Sequence, residues 1–193
     1  MPSTVWKEYY EKTGNKPPRP LLLKALEQVH TKEKGALDIG AGTLNDTKYL
    51  LSKGWDVTAV DSSKEFMEHA THITDKKFQA VNLPIEKYQF DKTFGLINAQ
   101  FVLPFIDKNI FKTTFAQIIS SLKSGGVFCG QFFGPEDEWN KEGTSMTFLT
   151  KEAVEDLLKD LQIISLDELH EDAKTAAGKM KYWHVHEIIA MKK

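Results

Sequence analysis

The stretch ALDIGAGTLN at 36–45 constrains the fold more than any other, because an apolar run stops on Gly40-Ala41-Gly42 and a helical pattern begins at once. A strand hands over to a helix in this way when the backbone must come close to a ligand, since glycine places no Cβ in the path. In LNDTKYLLSK the residues Leu44, Thr47 and Leu51 share a helix face, and Gly54 stands where that helix should stop. A second unit follows directly. WDVTAV at 55–60 reads as a strand, and Ser62-Ser63-Lys64-Glu65 matches a capping box, with Ser62 as cap, ahead of inward Phe66, Met67 and Ala70.

The same rhythm continues. FQAV at 78–81 and TFGLINA at 93–99 are strand candidates, the second almost wholly apolar, as a strand covered on both faces should be. Asp107 can cap a helix with Phe111, Phe115, Ile118 and Leu122 at helical spacing, ended by Ser124-Gly125-Gly126 before the buried run VFCGQFF at 127–133. A helix near 151–161 carries Val154, Leu157, Leu158 and Leu161 inward, and QIISLDELHE and KMKYWHVHEIIAMK then read as a terminal antiparallel hairpin. Strands joined by helical crossovers give an α/β fold: a doubly wound, mostly parallel sheet with helices on both faces.

At 193 residues the chain fits one domain over 1–193, with 1–33 as a helical cap or lid segment and 34–193 as the core. A hydrophobic share of 41% supports a sizeable core, and a net charge of −2 with no basic block gives nucleic acid little to hold. No segment is apolar and long enough for a signal peptide or a bilayer span, so neither a membrane nor secretion is expected. The lone Cys129 cannot form an internal disulfide, in keeping with a reducing, cytoplasmic compartment.

Asp38, two residues ahead of Gly40, could hold a cationic ligand group or cap a turn. Asp61 ends the second strand nineteen residues beyond Gly42, close to where an acid accepts both hydroxyls of a ribose. The dinucleotide fingerprint fails at its third glycine, where Asn45 stands, which sets a nicotinamide-dependent oxidoreductase behind other readings.

GALDIGAGTLNDTKYLLSKGWDVTAVDSS resembles the first two strands of class I S-adenosylmethionine-dependent methyltransferases, and the likeness extends over most of the chain. The C-terminal stretch from MTFLTKEAV onward is similar to a small-molecule branch that includes tellurite-resistance methyltransferases. The resemblance implies a Rossmann-like seven-stranded sheet with its first and fourth strands central and a terminal antiparallel hairpin. It implies S-adenosylmethionine as cofactor and S-adenosylhomocysteine as product. Gly40, Ala41 and Gly42 would approach the methionine and ribose, Asp61 with Ser62 beside it would hold the ribose, and Asp38 would face the amino end. Asn82 takes the place of an acid that receives the adenine amino group, with Leu83 beside the ring, and Gln100 and Phe101 border the methyl group. The family's third glycine falls at Leu44.

Arg19 is the one arginine beside 24 lysines and sits between Pro18 and Pro20. Two readings stand: a planar fork for a carboxylate of cofactor or substrate, or a surface residue near a helix start. Trp6 and Tyr10, four apart, either fold over the cofactor as a lid or anchor the N-terminus. His170, His184 and His186 lack the sequence spacing of a metal site, so no metal is expected. Trp139, Trp183 and His184 line a substrate pocket or belong to the core. The function expected is methyl transfer to a small-molecule acceptor, a soft nucleophile such as a thiol or chalcogen oxyanion, with no assigned catalytic residue. His184 or Asp137 would serve as base for a harder acceptor. A non-catalytic S-adenosylmethionine-binding regulator is the alternative.

Overall fold

A computed structural model describes residues 13–14, 16–176 and 178–193. Trp6 and Tyr10 lie outside the described residues. Seven strands form one sheet: β1 (Gly35–Ile39), β2 (Asp56–Asp61), β3 (Phe78–Asn82), β4 (Phe94–Ala99), β5 (Leu122–Phe133), β6 (Leu161–Lys174) and β7 (Met180–Lys192). Their order is β3-β2-β1-β4-β5-β7-β6. β1 to β5 pair in parallel, whereas β7 runs antiparallel to both β5 and β6. β1 and β4 are therefore central, and the hairpin closes one edge. Helices α1 (Pro20–Leu26), α2 (Asn45–Ser52), α3 (Lys64–Ala70), α4 (Phe111–Ser120) and α5 (Lys151–Leu157) make the other layers. Among the described residues no helix is long and apolar enough to cross a membrane.

Alternation along the central strands explains the two-sided core. Leu37 and Ile97 pack with Phe111, Phe115 and Ile118 of α4, while Ala36 and Leu96 pack with Leu21, Leu22 and Ala25 of α1 and Leu50 of α2. Polar residues break the second face only near the carboxyl ends of the strands, at Asp38 and Asn98. Ligands of open α/β sheets sit at those ends.

Three local expectations shift. Helix α3 is capped by Ser63, whose hydroxyl accepts the Phe66 amide at 3.1 Å, not by Ser62. Moving the cap one residue on turns Met67 outward, where it is 36% exposed, and keeps Phe66 and Ala70 buried. Helix α4 ends at Ser120, and Ser124-Gly125-Gly126 lies inside β5 rather than at the helix end. There the pairing with β4 shifts register between Phe94 and Leu96. A Cβ on Gly126 would lie 2.9 Å from the Lys123 carbonyl oxygen, so the glycine serves this bulge. In α2 the buried face is Leu44, Thr47 and Leu50, with Leu51 only half-buried.

Candidate functional site

The turn after β1 is built by its backbone. Gly40 and Gly42 have φ of 67° and 51°, and the Gly40 amide donates to the Val60 carbonyl at 2.8 Å. A Cβ on Gly40 would meet Val102 Cβ at 2.6 Å, so both the backbone twist and the neighbour demand glycine. Asp61, at the end of the adjacent β2, ties this turn to the next: its Oδ2 accepts the Gly42 amide at 2.9 Å and its Oδ1 accepts the Ser63 amide at 2.8 Å. Each carboxylate oxygen retains further acceptor capacity beside the cleft. Leu44 follows in the left-handed region at φ 64°, fully buried against Ala59, Phe66 and Ala70. A leucine thus fills the place of the resembling family's third glycine, its burial offsetting the backbone strain.

Beneath the turn lies an acidic floor. Asp38 is 2% exposed, and its Oδ2 accepts the Thr47 hydroxyl at 2.5 Å. Asn98 Nδ2 donates to Asp38 Oδ1 at 2.8 Å and to Asp46 Oδ2 at 3.1 Å. Asp46 Oδ1 accepts the Arg19 backbone amide at 2.9 Å. Burial, and then the neighbouring Asp46 charge, push the Asp38 carboxyl up to about 7. Bonds extend across the sheet: Gln100 Nε2 donates to Asn98 Oδ1 at 2.8 Å, and Gln131 Nε2 donates to Gln100 Oε1 and Glu187 Oε1 at 3.0 and 3.1 Å. Asp46, Asn98 and Gln131 escaped the sequence reading. For Asn98 a signal existed, a single amide in the otherwise apolar β4.

Asp38, Gly40, Ala41, Gly42, Asp61, Ser62, Leu83, Gln100 and Arg19 all line one cleft of about 1390 Å³. Asn82 does not line it. Its amide donates to the Asp61 and Ser63 carbonyls at 2.8 and 2.7 Å, so this side chain braces the loop that carries Asp61 and Ser62. Arg19 lies with its guanidinium carbon 5.1 Å from the Phe101 ring centroid, and Phe101 takes a positive φ of 53°. Gln131 Oε1 accepts the Phe101 amide at 3.1 Å and steadies that unusual conformation.

The far end of the cleft is an aromatic wall. Trp139 and Trp183 lie 5.4 Å apart between ring centroids, with Phe133 within 5.8 Å of each. Lys181 Nζ sits 3.7 Å from the Trp183 centroid and 4.5 Å from that of Trp139, and donates to Asp137 Oδ2 at 2.6 Å. Both partners of this ion pair are buried, with side chains 2% and 0% exposed. Asp137 and His184 are not among the cleft-lining residues. Asp137 is committed to Lys181, and His184 points from the opposite face of β7 toward Glu168.

Residues 36–126 match the sequence model of a family described as a methyltransferase domain. Over those residues, just under half of its length, the chain carries the sequence pattern of a methyltransferase domain, and its seven-stranded sheet has the class I methyltransferase fold. No curated protein sequence matches the chain. TehB from Haemophilus influenzae superposes with a TM-score of 0.77 at 16% identity, over 97% of this chain and 67% of that one. The N-methyltransferase NodS from Bradyrhizobium japonicum WM9, solved with S-adenosylhomocysteine, gives 0.68 at 14% identity over 99% of both chains. A Burkholderia thailandensis 1,6-didemethyltoxoflavin-N1-methyltransferase, solved with 1,6-didemethyltoxoflavin and S-adenosylhomocysteine, gives 0.63 at 21% over 90% and 79%. At these identities the likeness is one of fold. The residues of the cleft are chemically able to hold S-adenosylmethionine: carboxylates at Asp38 and Asp46 suit a cationic amino end, and Asp61 offers acceptor oxygens to a ribose diol.

Proposed function

We propose that this methyltransferase transfers a methyl group to a small-molecule acceptor seated against the aromatic wall. The observation that carries the reading is the single cleft that joins the Gly40–Gly42 turn and Asp61 to Trp139, Lys181 and Trp183. S-Adenosylmethionine supplies an electrophilic methyl on a sulfonium and leaves as S-adenosylhomocysteine. The chain's part is to bind, align and exclude water. Asp61 with Ser62 holds the ribose, Leu83 packs beside the adenine, and Gly40, Ala41 and Gly42 let the ligand approach the backbone. Asp38 neutralises the amino end, Gln100 borders the reacting centre, and Arg19 receives a carboxylate.

For the acceptor, a soft nucleophile such as a thiolate or chalcogen oxyanion suits the site, because such a group attacks without a general base. The commitment of His184 and Asp137 away from the cleft supports this choice, as does the resemblance of the C-terminal stretch from Met146 onward to tellurite-resistance methyltransferases. The balanced surface charge supports a small molecule over nucleic acid or membrane as partner. The buried, unpaired Cys129 agrees with a cytoplasmic location.

Calorimetric titration with S-adenosylmethionine and S-adenosylhomocysteine, with NADH as control and Asp61→Ala alongside, tests the cofactor half of the site. Saturable binding of the sulfonium pair that Asp61→Ala weakens, with no heat from NADH, supports the reading. S-Adenosylhomocysteine formation in a screen of thiol, chalcogen oxyanion, amine and hydroxyl acceptors tests the rest. Cofactor binding with no turnover on any acceptor would favour a regulatory binding protein.

A further inference from the structure

On the face of the β6–β7 hairpin turned away from the cleft, three histidines and a glutamate converge. The antiparallel register sets Glu168 opposite His186 and His170 opposite His184. Around the single oxygen Glu168 Oε1 stand His184 Nε2 at 2.9 Å, His170 Nε2 at 3.7 Å and His186 Nδ1 at 4.0 Å. Only the first is within hydrogen-bond reach. His186 is 0% exposed, and its Nε2 lies 3.0 Å from the Leu149 carbonyl oxygen. A carbonyl can only accept, so Nε2 carries the ring proton and Nδ1 is left as a lone pair. That Nδ1 is buried without a hydrogen-bond partner. An imidazole with its remote N–H tied to a backbone carbonyl and its near nitrogen bare is in the form in which histidine ligates a metal.

We propose that Glu168, His184 and His186 bind a divalent transition-metal ion of the zinc class, with His170 or a water completing the coordination. The three ligand atoms lie within 4.8 Å of one another. Tetrahedral ligands at about 2.0–2.2 Å from zinc stand roughly 3.4 Å apart. That spacing falls between the 2.9 and 4.0 Å that Glu168 Oε1 keeps from the two histidine nitrogens, so small side-chain rotations suffice. Two imidazoles with one carboxylate select zinc-like ions over calcium or magnesium, which favour oxygen shells.

His184 is placed for this role by Gly134: a Cβ there would lie 2.2 Å from His184 Nε2, so the ring rests on bare backbone, with the His170 ring 4.0 Å away between centroids. His184 Nδ1 accepts the Glu136 amide at 3.2 Å. Ligation through Nε2 moves the ring proton to Nδ1, which then gives up the Glu136 amide and donates instead, with the Glu136 carboxylate, grouped with His170 and His184 within 4.8 Å, as the nearby acceptor. Glu136 and Leu149 bracket the β5–α5 connection, which carries Glu138 and Trp139 into the cleft. The ion therefore fastens that connection to the hairpin and takes no part in methyl transfer.

The test uses the full chain, free of any affinity tag and stripped with a chelator, titrated calorimetrically with Zn²⁺ and with Mg²⁺ as control. The expected result is one Zn²⁺ per chain, no response to Mg²⁺, a raised thermal midpoint with Zn²⁺, and visible ligand-field bands when Co²⁺ is added instead. Glu168→Gln, at a half-exposed strand position that keeps its shape, should weaken Zn²⁺ binding by roughly tenfold or more, since even outer partners of a ligand contribute that much. His186→Gln should do the same. If that variant fails to fold, Glu168→Gln decides alone. Absence of Zn²⁺ binding by folded protein, or unchanged affinity and stoichiometry in Glu168→Gln, would overturn the proposal.

Discussion

Asp38 on β1 and Asn98 on β4 occupy paired positions of adjacent parallel strands, and the Asn98 amide bonds the Asp38 carboxylate at 2.8 Å. The same amide group holds Asp46 at 3.1 Å, so one neutral side chain is shared by two buried carboxylates. The arrangement keeps negative charge concentrated under the Gly40–Gly42 turn at a cost that a cationic ligand would relieve.

The Asp38 carboxyl, raised to about 7 by burial and then by Asp46, gives the first prediction. An acid raised in the folded state binds its proton more tightly there than in the unfolded chain. Its contribution therefore lowers folding stability as pH climbs from about 4, the ordinary aspartate value, to about 7, and then levels off. A cationic ligand beside Asp38 favours the ionised form, so its binding expels a proton. S-Adenosylmethionine affinity should rise with pH through neutrality, by at most about tenfold per pH unit, the limit for one proton. Titration calorimetry in buffers of different ionisation enthalpy checks it: observed heats should vary with buffer in the parent and not in Asp38→Asn. Buffer-independent heats in the parent would defeat the idea.

Leu44 sets a second test. In a left-handed conformation the usual order of replacements is inverted, because Leu44→Ala loses the buried side chain and keeps the strain, whereas Leu44→Gly loses the side chain and relieves it. Loss of a buried leucine costs about 2–5 kcal/mol and left-handed strain about 1–2 kcal/mol. Leu44→Gly should thus be destabilised by at most about 4 kcal/mol and Leu44→Ala by about 1–2 kcal/mol more than Leu44→Gly, as read from urea midpoints. Alanine proving the milder change would refute the account.

Cys129 gives a third. Burial, and then the charges of Asp46 and Asp38, hold its thiol well above the ordinary value, and its Sγ donates to Asn98 Oδ1 at 3.3 Å. A thiol so placed is a poor nucleophile. It should resist a soluble disulfide reagent in the native protein near neutral pH and react fully once denaturant is added. Rapid native reaction would mean that this face of β5 opens readily.

The strand-helix rhythm, the two glycines of the turn and Asp61 were legible because each is a local pattern: periodicity for the elements, φ tolerance for Gly40 and Gly42, strand-end position for the acid. The antiparallel ending was equally plain from two long alternating segments. What stayed hidden depends on register. Asp46 and Asn98 meet Asp38 only because α2 packs over β1 and β4 lies beside it, and Asn98 looked like one amide in a greasy strand. Glu168 joins His184 and His186 across a hairpin whose pairing no linear spacing encodes. Similarly, Ser124-Gly125-Gly126 read as a helix stop because a bulge and a helix end use the same glycines, and only the Phe94–Leu96 shift separates them. Side-chain commitment was also out of reach. Asn82 stood at the expected strand end, but both its amide bonds turn back onto the loop carrying Asp61.

The ion pair of Lys181 and Asp137 yields the last prediction. The 2.6 Å bond is sealed behind Trp139 and Trp183, and burial lowers the Lys181 pKa against the opposing pull of Asp137. Removing one partner strands the other charge out of water, which typically costs about 3–5 kcal/mol, whereas removing both leaves no charge to desolvate. Lys181→Met keeps the apolar stem among the rings but orphans Asp137, and should unfold at clearly lower denaturant. Adding Asp137→Asn to it should recover part of that loss, since the amide oxygen can still accept the Trp139 amide that Asp137 Oδ1 now receives at 3.0 Å. Equilibrium unfolding of the parent, the two single variants and the pair completes a double-mutant cycle. A coupling near zero would mean that the aromatic wall stands without this bond, and that Lys181 is held by its rings and by the Tyr182 carbonyl, which its ammonium also reaches at 3.1 Å.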